Sequence, residues 1–268
     1  MTILVVRRRR LQLVAAAVAL GLAVTVGYVV VAARVTTTAA ISPSVLRSVA
    51  TTRPFVALTF DDGPSAATPV ILNILGAYRA QATFFVIGSE VERYPAICRR
   101  ILAEGHQIGN HTYSHRYLSR WPLPVAVTEV QGGERAIRDA TGVKPRLFRF
   151  PGFMASAAQI EAVLQMGYRV VGMRVDSKDW RPGSEKNAIV HNVLSQVRPG
   201  DIILFHDGGG RRAVTVAALP EILSQLKARG FRFVTVSDLM RIGRQEAPTP
   251  SSPQDRKSRW RAGAGPAP

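Results

Sequence analysis

Phe55-Val-Ala-Leu-Thr-Phe-Asp-Asp-Gly-Pro64 begins as an apolar run and breaks on two carboxylates followed by a turn. Short, carrying β-branched and aromatic side chains and stopped by Gly-Pro, the run reads as a buried strand over Phe55–Phe60. Thr68–Tyr78 then places apolar residues at helical spacing, and Ala82–Ile87 is a second run of strand length. Strand, helix and strand within about 30 residues make one βαβ unit, which requires parallel strands. The same alternation continues downstream. Further strands are expected at Gln107–Asn110, Leu147–Phe150, Arg169–Val175, Asp201–Phe205 and Arg232–Val236. Helices are expected at Val91–Ala103, Val125–Ala140, Ala157–Met166, Lys186–Val197 and Val216–Ala228, with Gly105, Gly142, Gly167 and Gly230 at helix C-cap positions. About seven parallel strands with intervening helices fit an incomplete (β/α) barrel or a doubly wound sheet.

Both architectures gather chemistry at the C-terminal ends of their strands. The polar residues found there are Asp61-Asp62, His111 with His115, Arg149, Asp176 with Asp179, and His206-Asp207. Adjacent carboxylates repel unless a positive group lies beside them. His111 and His115, four residues apart, meet on one face if their segment is helical. Two imidazoles and one carboxylate make a three-ligand site for a divalent metal that leaves a position open to water.

The ends of the chain differ in character from this central region. Arg7–Arg10 precedes 23 uncharged residues, Leu11 to Ala33. A helix of that length spans roughly 34 Å, enough to cross a bilayer, and exceeds a cleavable signal's apolar core. The arginines favour a cytoplasmic N-terminus. Residues 1–10 are therefore expected as a basic cytoplasmic end, 11–33 as a single transmembrane anchor, 34–52 as a stalk and 53–241 as the catalytic domain, facing outward from the cell membrane. Cleavage near Thr38-Ala-Ala40 would release that domain instead. Residues 242–268, rich in Pro and basic residues, are expected to be disordered. The net charge of +17 is spread over these parts: residues 1–50 hold 6 basic and no acidic residues, 51–240 hold 23 and 16, and 241–268 hold 6 and 2. The central region is thus only mildly basic, without the basic-aromatic stripe of a nucleic-acid binder, and no nucleic-acid partner is expected. One cysteine, Cys98, excludes both an internal disulfide and a multi-cysteine zinc site; it reads as a small buried hydrophobe.

Thr59–Pro64, His111–His115, Arg149-Phe-Pro-Gly152, Asp179-Trp180 and Leu204-Phe-His206 resemble, in order and spacing, the five motifs of the polysaccharide deacetylases, carbohydrate esterase family 4. The likeness spans residues 53–240. It implies a distorted, incomplete (β/α) barrel and a metal-dependent hydrolase. By that resemblance Asp62, His111 and His115 would hold a divalent metal, most often zinc. Asp61 would be the general base, kept ionised by Arg149, and His206 the general acid, held by Asp179. The oxyanion would meet the Gly152 N–H, while Trp180 and Leu204 would line the acetyl pocket. One departure stands out: family members often carry an aromatic residue and then Gly after the proline of the third motif, whereas here Gly152 precedes Phe153.

These readings together point to an N-deacetylase of a cell-wall amino sugar polymer, acting as a monomer on peptidoglycan N-acetylglucosamine. Chitin oligomers or O-acetylated xylan are alternative substrates, and a non-catalytic glycan-binding domain is an alternative class. Against that last reading stand the base and acid, Asp61 and His206. A non-haem iron oxygenase shares the two-His, one-carboxylate set, but strand–helix alternation does not suggest its framework. His106, His191, Asp176 and Asp207 are read as structural.

Overall fold

The computed structural model describes residues 44–246. Eight strands form one sheet: β1 (Phe55–Asp61), β2 (Ala82–Val86), β3 (Gln107–Asn110), β4 (Leu147–Phe148), β5 (Arg169–Val170), β6 (Val175–Asp176), β7 (Ile202–His206) and β8 (Arg232–Phe233). Their order is β5-β4-β3-β2-β1-β7-β6, with β8 also pairing β1, and every pairing is parallel. Asp61 lies in register with His206 across the β1–β7 pair.

The run Arg169–Val175, expected as one strand, is two. Its first part pairs β4 at one edge of the sheet and its last part pairs β7 at the other. The two edges therefore never pair with each other, and the barrel stays incomplete. Residues 44–52, expected as a stalk, occupy this gap. The Leu46 N–H donates to Val170 O at 2.9 Å, Gly172 N–H donates to Leu46 O at 2.7 Å, and Val49 N–H donates to Gly200 O at 2.8 Å.

Side chains alternate along β1 as a strand requires. Val56, Leu58 and Phe60 join the outer core with Leu72 and Leu75 of α1 (Thr68–Ala77). The opposite set, Ala57, Thr59 and Asp61, faces the barrel interior, where Ala57 belongs to the lower core. The expected helix Val91–Ala103 is broken into α2 (Gly88–Arg93) and α3 (Pro95–Ala103). Pro95 disfavours helical geometry at Tyr94, which has φ −130° and ψ 52°. The remaining helices α4 (Leu123–Thr141), α5 (Ala157–Gln165), α6 (Lys186–Leu194) and α7 (Ala213–Ala228) lie where periodicity places them. Cys98 is buried, and burial pushes its thiol up to about 12.

The last helix, α8 (Val236–Glu246), was not expected and runs past residue 241. Val236, Leu239 and Ile242 enter the barrel floor beside Ala57, Phe85 and Leu147. Glu246, at its end, accepts hydrogen bonds from Thr51 Oγ1 at 2.9 Å and from the Thr52 N–H at 3.1 Å. The floor is therefore closed by the two ends of the domain, held to one another. Replacing fully buried Leu239 by alanine is expected to cost about 2–5 kcal/mol of stability. Denaturant titration checks this; a loss below about 1 kcal/mol would mean that the helix is not packed as described.

Among the described residues no helix is long and apolar enough to cross a membrane. The expected anchor at 11–33, its flanks and the tail from 247 lie outside the described residues.

Candidate active site

All five expected groups stand at the C-terminal end of the barrel, because parallel strands deliver their ends to one side. Inward alternation on β1 and β7 places Thr59, Asp61, Leu204 and His206 over the lower core, and Leu204 is buried at 2% exposure. Arg149, fully buried after β4, holds this layer together. Its Nη1 donates to Asp61 Oδ1 at 2.7 Å and to Thr59 Oγ1 at 2.8 Å, and its Nη2 donates to Gly172 O at 2.7 Å. The guanidinium also stacks on Phe85, 4.2 Å from the ring centre. A buried guanidinium with these partners cannot turn elsewhere, so Asp61 has one oxygen engaged and one, Oδ2, left for chemistry.

Asp62 takes a different path. Its backbone is left-handed (φ 73°), which swings its carboxylate away from that of Asp61. Such conformations are unfavourable for non-glycine residues and cluster at functional sites. The chain that follows packs tightly: a Cβ on Gly63 would lie 2.1 Å from the Asp207 carboxylate. His111 and His115 meet Asp62, but no helix brings them there. The segment after β3 is irregular, turned by positive φ at Thr112 (71°) and at His115 itself (58°). The two ring centres are 5.1 Å apart.

Asp62, His111 and His115 could together hold a metal ion, with one ligand atom of each lying within 4.8 Å of the others. Asp62 Oδ1 stands 3.4 Å from His111 Nε2 and 3.0 Å from His115 Nε2. His111 Nδ1 lies 2.7 Å from the Arg149 carbonyl, which can only accept; the proton is thus on Nδ1 and Nε2 presents a lone pair. Asp62 Oδ1 is buried and accepts no hydrogen bond. An orphaned oxygen facing an imidazole lone pair is the arrangement that a cation resolves. An ion with bonds of ~2.0–2.1 Å separates tetrahedral ligands by roughly 3.3 Å, close to these spacings.

Across the site His206 Nδ1–H donates to Asp179 Oδ1 at 2.7 Å, and the His206 backbone N–H donates to Asp179 Oδ2 at 2.9 Å. Thr215 Oγ1 adds a third hydrogen bond to Asp179, at 2.8 Å. Burial would lower the His206 pKa, yet the bond and charge of Asp179, with Asp61 and Asp62 beyond, raise it above the ordinary imidazole value. Asp179 is correspondingly lowered against its own burial.

Trp180 is 48% exposed at the rim, its Nε1–H donating to the Asp176 carboxylate at 3.3 Å. Asp176 also accepts from the Lys178 N–H at 2.8 Å and is a loop-former, as the sequence suggested. Asp207 accepts from Thr68 Oγ1 at 2.5 Å; burial first, then the charges of Asp62 and Asp61, push its carboxyl up to about 7. His106 accepts the Ala82 N–H through Nδ1, and His191 lies exposed on α6. Gly152 is exposed with φ 59°, and a Cβ there would sit 2.6 Å from Tyr117 Cε1. Tyr117 also lies against His115, with ring centres 5.9 Å apart. Tyr117 and Thr215 were not singled out from the sequence, and Thr59 entered only as the first residue of the first motif, without a role of its own. Thr59 was visible, since it shares the inward face of β1 with Asp61; Thr215 arrives on α7 without a local signal.

Residues 48–171 match the polysaccharide deacetylase family. Over 190 residues the chain is 43% identical to a peptidoglycan-N-acetylglucosamine deacetylase of Bacillus cereus, covering 69% of this chain and 88% of that protein. It is 40% identical over 190 residues to a chitooligosaccharide deacetylase of Bradyrhizobium, covering 66% and 86%. Among solved structures, that of the Bc1960 peptidoglycan N-acetylglucosamine deacetylase superposes with a TM-score of 0.71 at 36% identity, covering 74% of this chain and 93% of that one. With barrel, motif residues and relatives in agreement, the chain belongs to the polysaccharide deacetylase family, hydrolases of amide bonds.

Proposed function

We propose that this protein removes N-acetyl groups from peptidoglycan N-acetylglucosamine with a zinc ion held by Asp62, His111 and His115. The observation that carries the reading is the division of labour between the two adjacent acids. Asp61 is bound to Arg149 and keeps Oδ2 free, while Asp62 is turned onto the two imidazoles. Bound there, the ion supplies Lewis-acid polarisation of the amide carbonyl and a water of lowered pKa. Asp61 Oδ2 takes the proton of the attacking water. His206, fixed through Nδ1, presents Nε2 to the leaving nitrogen and gives it a proton. Arg149 holds Asp61 in place, and the Gly152 N–H offers a donor to the developing oxyanion. Leu204 and Trp180 flank the space for the acetyl methyl. The similarity to the B. cereus enzyme supports the choice of peptidoglycan.

By the same reading the protein is a monomer anchored in the cell membrane, its barrel outside where the wall polymer is; the 23 uncharged residues behind Arg7–Arg10 support the anchor. Incubating the full chain with peptidoglycan, chitooligosaccharides and acetylated xylan and measuring released acetate tests the substrate. Fastest release from peptidoglycan is expected; release confined to xylan would replace the reading.

The His206–Asp179 pair gives a pH prediction. Asp179 raises the His206 pKa, so its loss lets that pKa fall, and the protonated acid disappears at lower pH. Asp179→Asn is expected to move the alkaline limb of kcat/KM to lower pH and to lower kcat by about 10²–10⁴-fold. An unmoved limb would mean that His206 is not the acid.

A further inference from the structure

Two exposed aromatic side chains flank the reaction centre, and each carries an arginine. Tyr117, 42% exposed, follows β3 on the His115 side, and the Arg120 guanidinium stacks on it 5.5 Å from the ring centre. Trp180, 48% exposed, follows β6 on the His206–Asp179 side, and the Arg181 guanidinium lies 5.4 Å from its ring centre. In the sheet order β3-β2-β1-β7-β6 these two loops stand on opposite sides of β1, whose end carries Asp61. The two loops thus border the reaction centre on both sides, where a glycan strand crossing it would lie.

Several other arginines at this end of the barrel are engaged. Arg149 is buried on Asp61, Arg116 pairs with Glu129 at 3.4 Å, and Arg212 donates to the carbonyls of Gly208 and Gly209. Arg120 and Arg181 are exposed and have no carboxylate partner among the described residues. A sugar face stacks on an aromatic ring without needing charge, so a neutral glycan leaves the positive charge of both guanidinium groups without a counterpart. A guanidinium fork suits a carboxylate.

We propose that Arg120 and Arg181 are specificity determinants that read carboxylates on the two sugars flanking the deacetylated one. This rests on peptidoglycan N-acetylglucosamine as the substrate. In that alternating polymer both neighbours of an N-acetylglucosamine are muramic residues, each bearing a lactyl group. The carboxylate is the lactyl group's own where the stem peptide is absent, and belongs to the peptide where it is present. An aromatic-borne guanidinium without a carboxylate partner on each side of the centre matches one acid on each side of the target sugar, which homopolymeric chitin lacks.

The test uses three forms of peptidoglycan strand with the full chain: strands with stem peptides, strands stripped of them by amidase, and stripped strands with their carboxylates converted to methylamides. Acetate release gives kcat and KM for each. The wild type is expected to lose about fivefold to tenfold in kcat/KM on the methylamide strands, mainly through KM, the scale of two exposed charge pairs. The double variant Arg120→Gln/Arg181→Gln is expected to discriminate less than twofold, and 0.5 M salt to shrink the wild-type preference. Discrimination between stripped and methylamide strands assigns the lactyl carboxylate; discrimination seen only with stem peptides present assigns the peptide's. Equal wild-type rates on all three forms overturn the proposal alone, as does a double variant that keeps the full preference. No acetate from any strand removes the substrate reading and the proposal with it.

Discussion

Replacing His115 by alanine is expected to abolish both metal binding and acetate release, and His111→Ala to do the same. In the proposed site each imidazole would supply one of three protein ligands, and two ligands hold a divalent ion poorly. The structure adds a reason specific to this chain. Asp62 Oδ1 accepts no hydrogen bond, so it gains nothing from a protein donor when a ligand is lost. His115 is partly exposed while His111 is buried, so His115→Ala perturbs folding less and is the cleaner variant. Metal content by elemental analysis, with a thermal melt as a folding control, checks this. A folded, metal-free His115→Ala protein with wild-type turnover would contradict the ligand set.

The second large effect separates the two adjacent acids. Asp61→Asn is expected to lower turnover by about 10²–10⁴-fold with the metal still bound, since a general base is lost and no ligand is removed. Asp62→Asn is expected to lose the metal itself. Asp61→Asn also leaves the buried Arg149 facing a neutral amide, and breaking a buried ion pair costs about 3–5 kcal/mol in stability. Activity must therefore be measured well below the variant's melting temperature. Metal analysis that found Asp61→Asn empty and Asp62→Asn loaded would reverse the two roles.

Much of this architecture was legible in Phe55–Pro64 and the alternation that follows it, because parallel strands make a simple promise: whatever ends them lies together. Asp61, His111, Arg149, Asp179 and His206 meet for that reason, although up to 145 positions separate them in sequence. Local signals failed where partners are distant. Arg169–Val175 looks like one strand, and its division depends on two sheet edges that no local pattern reveals. The helix α8 carries few apolar positions ahead of a Pro-rich tail, and its role depends on a barrel floor assembled from other strands. The imidazole pair was legible in its residues but not in its geometry. Four-residue spacing suggested a helix, whereas positive φ at Thr112 and His115 turns an irregular segment to the same end.

The division of labour between Asp61 and the Asp62–His111–His115 cluster is tested most directly by titrating metal back into chelated protein. Bound metal per chain and acetate released from peptidoglycan are measured on the same samples. Activity is expected to vanish with the ion and to return in proportion to occupancy, reaching its plateau at one ion per chain. Full acetate release by metal-free protein, or a plateau reached without the ion bound at Asp62, would contradict the account.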